Sequence, residues 1–182
     1  MSRMNVFRST CFGVVAVTAA LALSTPASAT TYTVDALADS ISTPLDTGLV
    51  LNSADTYSFS VENALTTIWS AGAETPYSRD STAAGINPVA SGYGQWMQYG
   101  FTANYGALVG HTTTNGYFLI GTGMIGSGYA GDLQLMYWDS YYGDNSGTQT
   151  LDVNRVPEPV TLSLFGAGLL GAAAMRRKKK RS

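Results

Sequence analysis

Apolar and polar positions alternate with a period of two through the middle of the chain, and run together without interruption near both ends. In Thr56-Tyr57-Ser58-Phe59-Ser60-Val61 the residues Tyr57, Phe59 and Val61 share one face, as a half-buried strand requires. The same alternation recurs in Asp132-Leu133-Gln134-Leu135-Met136-Tyr137 and in Thr148-Gln149-Thr150-Leu151-Asp152-Val153. Further strand candidates are residues 31–34, 66–69, 96–101, 107–110 and 117–120. Turn residues separate them, for example Asn52-Ser53-Ala54-Asp55. Asn115-Gly116, set between Thr112-Thr113-Thr114 and Tyr117-Phe118-Leu119-Ile120, predicts a hairpin. Seven or eight short strands joined by polar turns predict an all-β fold, an antiparallel β-sandwich. Residues 71–94 carry Pro76, Pro88 and several Gly and Ser, and read as a long surface excursion able to wall a site. Residues 121–131 read as a glycine loop. Gly121-Thr122-Gly123-Met124-Ile125-Gly126 is no phosphate-binding fingerprint, because no helix follows it.

The two uninterrupted runs change the picture from a plain domain to an exported one. Residues 1–29 read as a secretory signal peptide. Arg3 and Arg8 precede an apolar stretch at 11–23, and Ala27-Ser28-Ala29 supplies the cleavage site. The only cysteine, Cys11, would leave with it, so the mature chain is expected to hold no disulfide. At the other end an apolar span, residues 160–175, follows Pro157-Glu158-Pro159 and precedes six bases, Arg176 to Arg181. As a helix the span is about 24 Å long, slightly short of a hydrocarbon core of about 30 Å. Long basic side chains reaching the interface make up the difference. Six bases favour a cytoplasmic end. The expected organisation is therefore a signal peptide at 1–29, a sandwich domain at 30–155 and a sorting segment at 156–182.

The order Pro157-Glu158-Pro159, Gly/Ala/Leu-rich span and basic tail resembles the PEP-CTERM protein-sorting signal of Gram-negative bacteria. That resemblance implies a transmembrane sorting helix, recognition by an exosortase-type processing enzyme and loss of the tail. Delivery to the cell surface or extracellular matrix would follow. The alternative is a plain anchor that is never removed. Sorting is preferred, because a Pro-Glu-Pro directly before a span has no anchoring purpose.

Removal of both ends would also change the charge. Between residues 30 and 155 only Arg79 and Arg155 are basic against eleven Asp and Glu, a formal charge of −9. Nucleic acid and anionic headgroups are poor partners for such a surface, whereas cations and neutral polyols suit it. With one His and no Cys, neither a Cys-His pair nor an ordinary zinc site can be assembled. No carboxylate pair is singled out for glycoside hydrolysis, so a binding protein is expected rather than an enzyme. His111, the only histidine, reads as a solvated turn residue. Trp69 and Trp96 read as core.

Candidate chemistry concentrates in Tyr137-Trp138-Asp139-Ser140-Tyr141-Tyr142-Gly143-Asp144-Asn145-Ser146-Gly147. Hard cations such as calcium want six to eight oxygen ligands from carboxylates, amides and main-chain carbonyls. Asp139, Asp144 and Asn145 can supply three side chains. Asp-Asn-Ser-Gly is also ordinary turn chemistry, and spacing alone favours that reading. Trp138, Tyr141 and Tyr142 crowd the same loop, and aromatic faces suit the C–H faces of a pyranose.

This loop, with Asn104-Tyr105-Gly106-Ala107-Leu108-Val109-Gly110 and the segment from Tyr117 to Gly121, resembles the PA-I type galactose-binding bacterial lectins. The similarity runs over roughly residues 48 to 153. It implies a galactose-binding, jelly-roll-like sandwich that holds calcium and presents it to sugar hydroxyls. Carried over by position, Asp139 is the first calcium ligand, and Asp144 and Asn145 stand for the family's Asn pair. Tyr141 and, within one residue, Gly72 would add main-chain carbonyls. Asp139, Trp138, Tyr141, Tyr142 and Asp144 would face the sugar. The loop between Asp139 and Tyr141 is two residues shorter than in those lectins. The histidine and glutamine that touch galactose have no counterpart, so the resemblance implies a polysaccharide or glycan partner rather than galactose itself. A structural matrix protein, with calcium only stapling the sandwich, is the second expectation.

Overall fold

The structure, a computed structural model, describes residues 29–66, 69–74, 77–86 and 94–157, together with Gly166 and Gly168. Its organising element is β12 (Ser146–Val156), which carries three neighbours. It pairs antiparallel with β1 (Thr30–Asp35), with β3 (Thr56–Val61) and, at Ser146 and Gly147, with β4 (Trp69–Glu74). Beyond β3 lies β10 (Gly123–Ser127), and beyond β4 lies β5 (Tyr77–Ser81). A second sheet has the order β2 (Leu45–Leu51), β11 (Gly131–Trp138), β8 (Ala107–Thr112), β9 (Gly116–Leu119). A hairpin of β6 (Gln95–Gln98) and β7 (Phe101–Asn104) completes the elements.

The period-two alternation explains the layering. From the first sheet Val34, Phe59, Leu151 and Val153 turn inward, and from the second Leu108, Leu133, Leu135 and Tyr137 do the same. All eight are buried, so the two sheets close over one apolar layer. The opposite face of β8 and β11 would present Ala107, Val109, Met136 and Trp138 to water. Instead these four are buried with Ala103 of β7, and Trp96, Phe101 and Tyr117 pack against them. The hairpin thus roofs the outer face of the second sheet, which is why β11 is apolar on both sides near its end.

The antiparallel sandwich agrees with the sequence reading; the strands at 31–34, 56–61, 107–110, 132–137 and 148–153 lie inside observed strands, and that at 117–120 overruns β9 by Ile120. Several local readings need correction. Residues 96–101 form two strands, not one, because Tyr99 and Gly100 both take positive φ and turn the chain. The candidate at 66–69 falls partly outside the described residues; β4 begins at its last position, Trp69. The 121–131 loop contains β10, whose glycines let it lie against β3. The excursion at 71–94 contains most of β4 and all of β5, and buries Ala83 and Ile86. The 112–120 hairpin is present, but its loop spans Thr113, Thr114 and Asn115, with Gly116 left-handed at φ +72°. Half-buried His111 is no turn residue. It lies on β8, with Nδ1 3.0 Å from Gln134 Oε1 and its ring against Tyr117.

The described residues between 29 and 157 belong to one compact unit. The expected signal peptide up to Ser28, the motif beyond Pro157 and, apart from Gly166 and Gly168, the apolar span at 160–175 lie outside the described residues. Among the described residues no helix is long and apolar enough to cross a membrane.

Leu135 is wholly buried between the sheets, whereas Ile125 of the edge strand β10 is exposed. Leu135→Ala should cost about 2–5 kcal/mol in a denaturant titration. Ile125→Ala should stay within about 0.5 kcal/mol. Equal losses would contradict the layer assignment.

Candidate functional site

β11 leaves the second sheet at Trp138, and the chain turns at Asp139. Side chains alternate across a strand, so Tyr137 faces the inter-sheet core and Trp138 the roof. Both are fully buried. This overturns the expectation that Trp138 faces a ligand: its indole Nε1 donates to Trp96 O at 3.1 Å beneath the β6–β7 hairpin. Tyr141 and Tyr142, by contrast, are exposed at 68% and 46%.

Asp139 is 6% exposed. Its Oδ1 accepts the backbone N–H of Ser140 at 2.6 Å and of Tyr141 at 3.4 Å, which folds the loop back over the carboxylate. Burial raises the Asp139 carboxyl above its ordinary range. The Tyr141 and Ser140 amides and the Asn145 side chain oppose that rise, and the Asp144 charge adds to it. Next to it the Tyr137 phenol is pushed up by burial, against a hydrogen bond with Ser81 at 3.2 Å. The charges of Asp139, Asp144 and Asp80 reinforce the effect, so three carboxylates share this neighbourhood.

A single 3-10 turn, Tyr142–Asp144, then delivers Asn145 into the fold. Asn145 is 5% exposed, and its Nδ2 donates to Ala36 O, the residue after β1, at 3.1 Å. The neighbouring bond from Ala36 N to Gly147 O, at 3.0 Å, closes the same seam. With its nitrogen committed, the amide leaves Oδ1 buried and without a hydrogen-bond partner among the described residues. Such an atom costs about 1–3 kcal/mol unless something meets it.

Asp144 meets β4. The β4–β5 pairing shifts register between Ser70 and Ala73, which takes Ala71 and Gly72 out of the ladder. Gly72 has φ +92°, and a Cβ there would collide with the Asp144 carboxylate. A glycine at this bulge therefore lets the loop and the strand touch. Gly72 O accepts from Ser70 Oγ at 3.0 Å, and Ala71 O accepts from Arg79 Nη1 at 3.3 Å. Arg79 Nη1 also lies 3.6 Å from Asp144 Oδ2.

Beside these groups opens a pocket of about 170 Å³, walled by Ala71, Arg79, Ile86, Tyr105, Asp139, Ser140 and Tyr141. The 71–94 segment does form one wall. Bonds from Ile86 N to Tyr105 O and from Leu108 N to Ala83 O fasten it to the second sheet. Asp139, Asp144, Asn145 and Gly72 come from two separated parts of the chain and gather at one end of the sandwich. Asp55 lies elsewhere, paired with Arg155 at 2.7 Å. Sequence reasoning missed Arg79 and Tyr105. The one available signal was that Arg79 is one of two bases in an acidic segment.

The donor set suits a hard cation. Asn145 offers a buried amide oxygen with nothing on it, beside the buried carboxylate of Asp139, and both belong to the oxygen class calcium prefers. Among the described residues no group of three His, Cys, Asp or Glu side chains is placed to hold a metal. Amide and main-chain oxygens would have to complete any shell here.

Residues 155–178 match the PEP-CTERM protein-sorting motif, so the chain carries that signal. No curated protein matches it significantly in sequence. Among solved structures it is similar to one titled "EclA N-terminal domain; PllA-like lectin". Identity is 19%, the TM-score is 0.48, and the match covers 69% of this chain and 95% of that one.

An acid whose pKa is raised on folding binds its proton more tightly in the native state. Its ionisation therefore costs stability above the raised value, and the cost disappears as pH falls through the ordinary value of 3.8. In chelator, Asp139→Asn should melt above wild type at pH 7, and the gap should shrink as pH falls towards 4. A gap that stays constant over that range would show that Asp139 is not the strained carboxylate.

Proposed function

We propose that this exported chain is a calcium-dependent carbohydrate-binding protein, sorted through its PEP-CTERM segment to the cell surface or extracellular matrix. The observation that carries the reading is the buried, unpartnered Oδ1 of Asn145 beside the Asp139 carboxylate. Asp139, Asp144 and Asn145 would hold the ion, with main-chain carbonyls from Tyr141 and the Ala71–Gly72 bulge. Bound calcium supplies coordination positions that sugar hydroxyls can fill.

The chain's own groups do the rest. The N–H groups of Ser140 and Tyr141 keep the Asp139 carboxylate in one orientation. Asn145 fixes the loop to the end of β1. Tyr141 and Tyr142 stand exposed at the rim, where their faces can take the C–H side of a pyranose. The acidic surface discourages anionic partners and favours cations and neutral polyols. Exosortase-type processing at Pro157-Glu158-Pro159 would release this domain from the membrane, so a matrix polysaccharide is the natural ligand class.

One feature favours a second reading, in which calcium only staples the sandwich. Asn145 belongs to the seam between β12 and β1, and an ion beside it would tighten that seam whether or not a sugar is present.

Titration calorimetry separates the two. Calcium should bind with a dissociation constant of about 10⁻⁴–10⁻³ M, the range of extracellular modules. Asp139→Ala and Asn145→Ala should abolish the heat, and His111→Ala should retain it. Immobilised glycan should be captured in calcium and released by chelator, and Tyr141→Ala should weaken capture several-fold while calcium affinity holds. A chelator that lowers the melting temperature while no glycan is captured would select the structural reading. Normal calcium binding by Asp139→Ala would remove both.

A further inference from the structure

Arg79 and Arg155 are the only bases between residues 30 and 155, and they are used differently. Arg155 pairs with Asp55 on the edge of β12. Arg79, on β5, reaches across β4 into the wall of the pocket. One of its nitrogens, Nη1, lies 3.3 Å from Ala71 O and 3.6 Å from Asp144 Oδ2. These are the bulge carbonyl and the loop carboxylate that the calcium reading assigns to the ion. A positive charge of the chain's own is thus already seated on two of the ion's groups. Asn145 Oδ1 is still unmet among the described residues.

Resting on that calcium reading, we propose that Arg79 is an intramolecular cation that competes with the divalent ion for Asp144 and so sets the calcium concentration at which the site fills. Two positive charges at one carboxylate repel each other, so filling must weaken the Arg79–Asp144 pair. The side chains are only partly covered, at 23% and 40% exposure. Gly72 contributes to the same balance. It allows Asp144 close enough to the bulge for one guanidinium to span both groups. A partly exposed pair of this kind corresponds to about a 1.5- to fivefold change in affinity.

The test is calcium titration calorimetry on the full chain in mild detergent, with melting curves in chelator. Arg79→Gln should bind calcium about 1.5- to fivefold more tightly than wild type, and added salt should narrow the difference. In chelator the same variant should melt lower, because Asp144 has lost its counter-charge. Arg79→Lys, which keeps the charge, should bind calcium like wild type. Asp144→Asn should erase the effect of Arg79→Gln on both readouts. Calcium binding by wild type that Arg79→Gln leaves unchanged or weakens would overturn this inference and spare the calcium reading. Absence of calcium binding in both proteins would overturn the two together. Binding by Arg79→Gln alone would support both.

Discussion

The buried hydrogen bond from Asn145 Nδ2 to Ala36 O holds the rest of the site in place. It ties the loop after β11 to the end of β1 just where β12 begins to pair with both β1 and β4. An amide has one donor end and one acceptor end. Spending the donor on Ala36 turns the acceptor inward, and the fold offers it no partner among the described residues. The same bond therefore stabilises the sheet and creates an unmet oxygen. Natural structures rarely keep such an atom buried without a reason, and here it lies beside a carboxylate that burial has already made reluctant to ionise.

Two departures from ideal sheet geometry complete the arrangement. The register shift in β4 removes Ala71 and Gly72 from the ladder, and the left-handed glycine admits Asp144 against the bulge. Both lie on the edge side of the first sheet, where a bulge disturbs no further strand than β5. The loop contributes carboxylates and an amide, and the bulge contributes carbonyls. Arg79 bridges the two. In a segment with a formal charge of −9, one arginine at this point offsets part of the charge that Asp144 sets beside Asp139.

The described fold manages its apolar surface in a way that suits life outside the cell. No cysteine lies between residues 30 and 155, so no disulfide helps to close the sandwich. The β6–β7 hairpin extends that packing by covering the outer face of β8 and β11. Trp96, Phe101 and Trp138 meet there at centroid distances of 4.9–5.1 Å. This second layer is what makes Trp138 a structural residue. Its position next to Asp139 suggested a ligand platform, but the hairpin roof claims it first.

What was legible in the sequence followed from local rules. Period-two alternation at 56–61, 132–137 and 148–153 located the central strands, because a strand with one buried face must alternate. It failed at 96–101, where a left-handed Tyr99 turns the chain in a way that no alternation encodes. It failed again at 121–131, where glycines that resemble a loop serve an edge strand. The loop residues Asp139, Asp144 and Asn145 could be named from their spacing and resemblance, and the sorting segment from its order of motif, span and bases. Only the tertiary structure decided that Trp138 is buried while Tyr141 stays in solvent. It alone brought Gly72 and Arg79 to Asp144, and it alone left the Asn145 amide oxygen buried and unpaired beside that loop. Those facts depend on contacts between residues 42 to 109 positions apart, and local sequence pattern carries no record of such pairings.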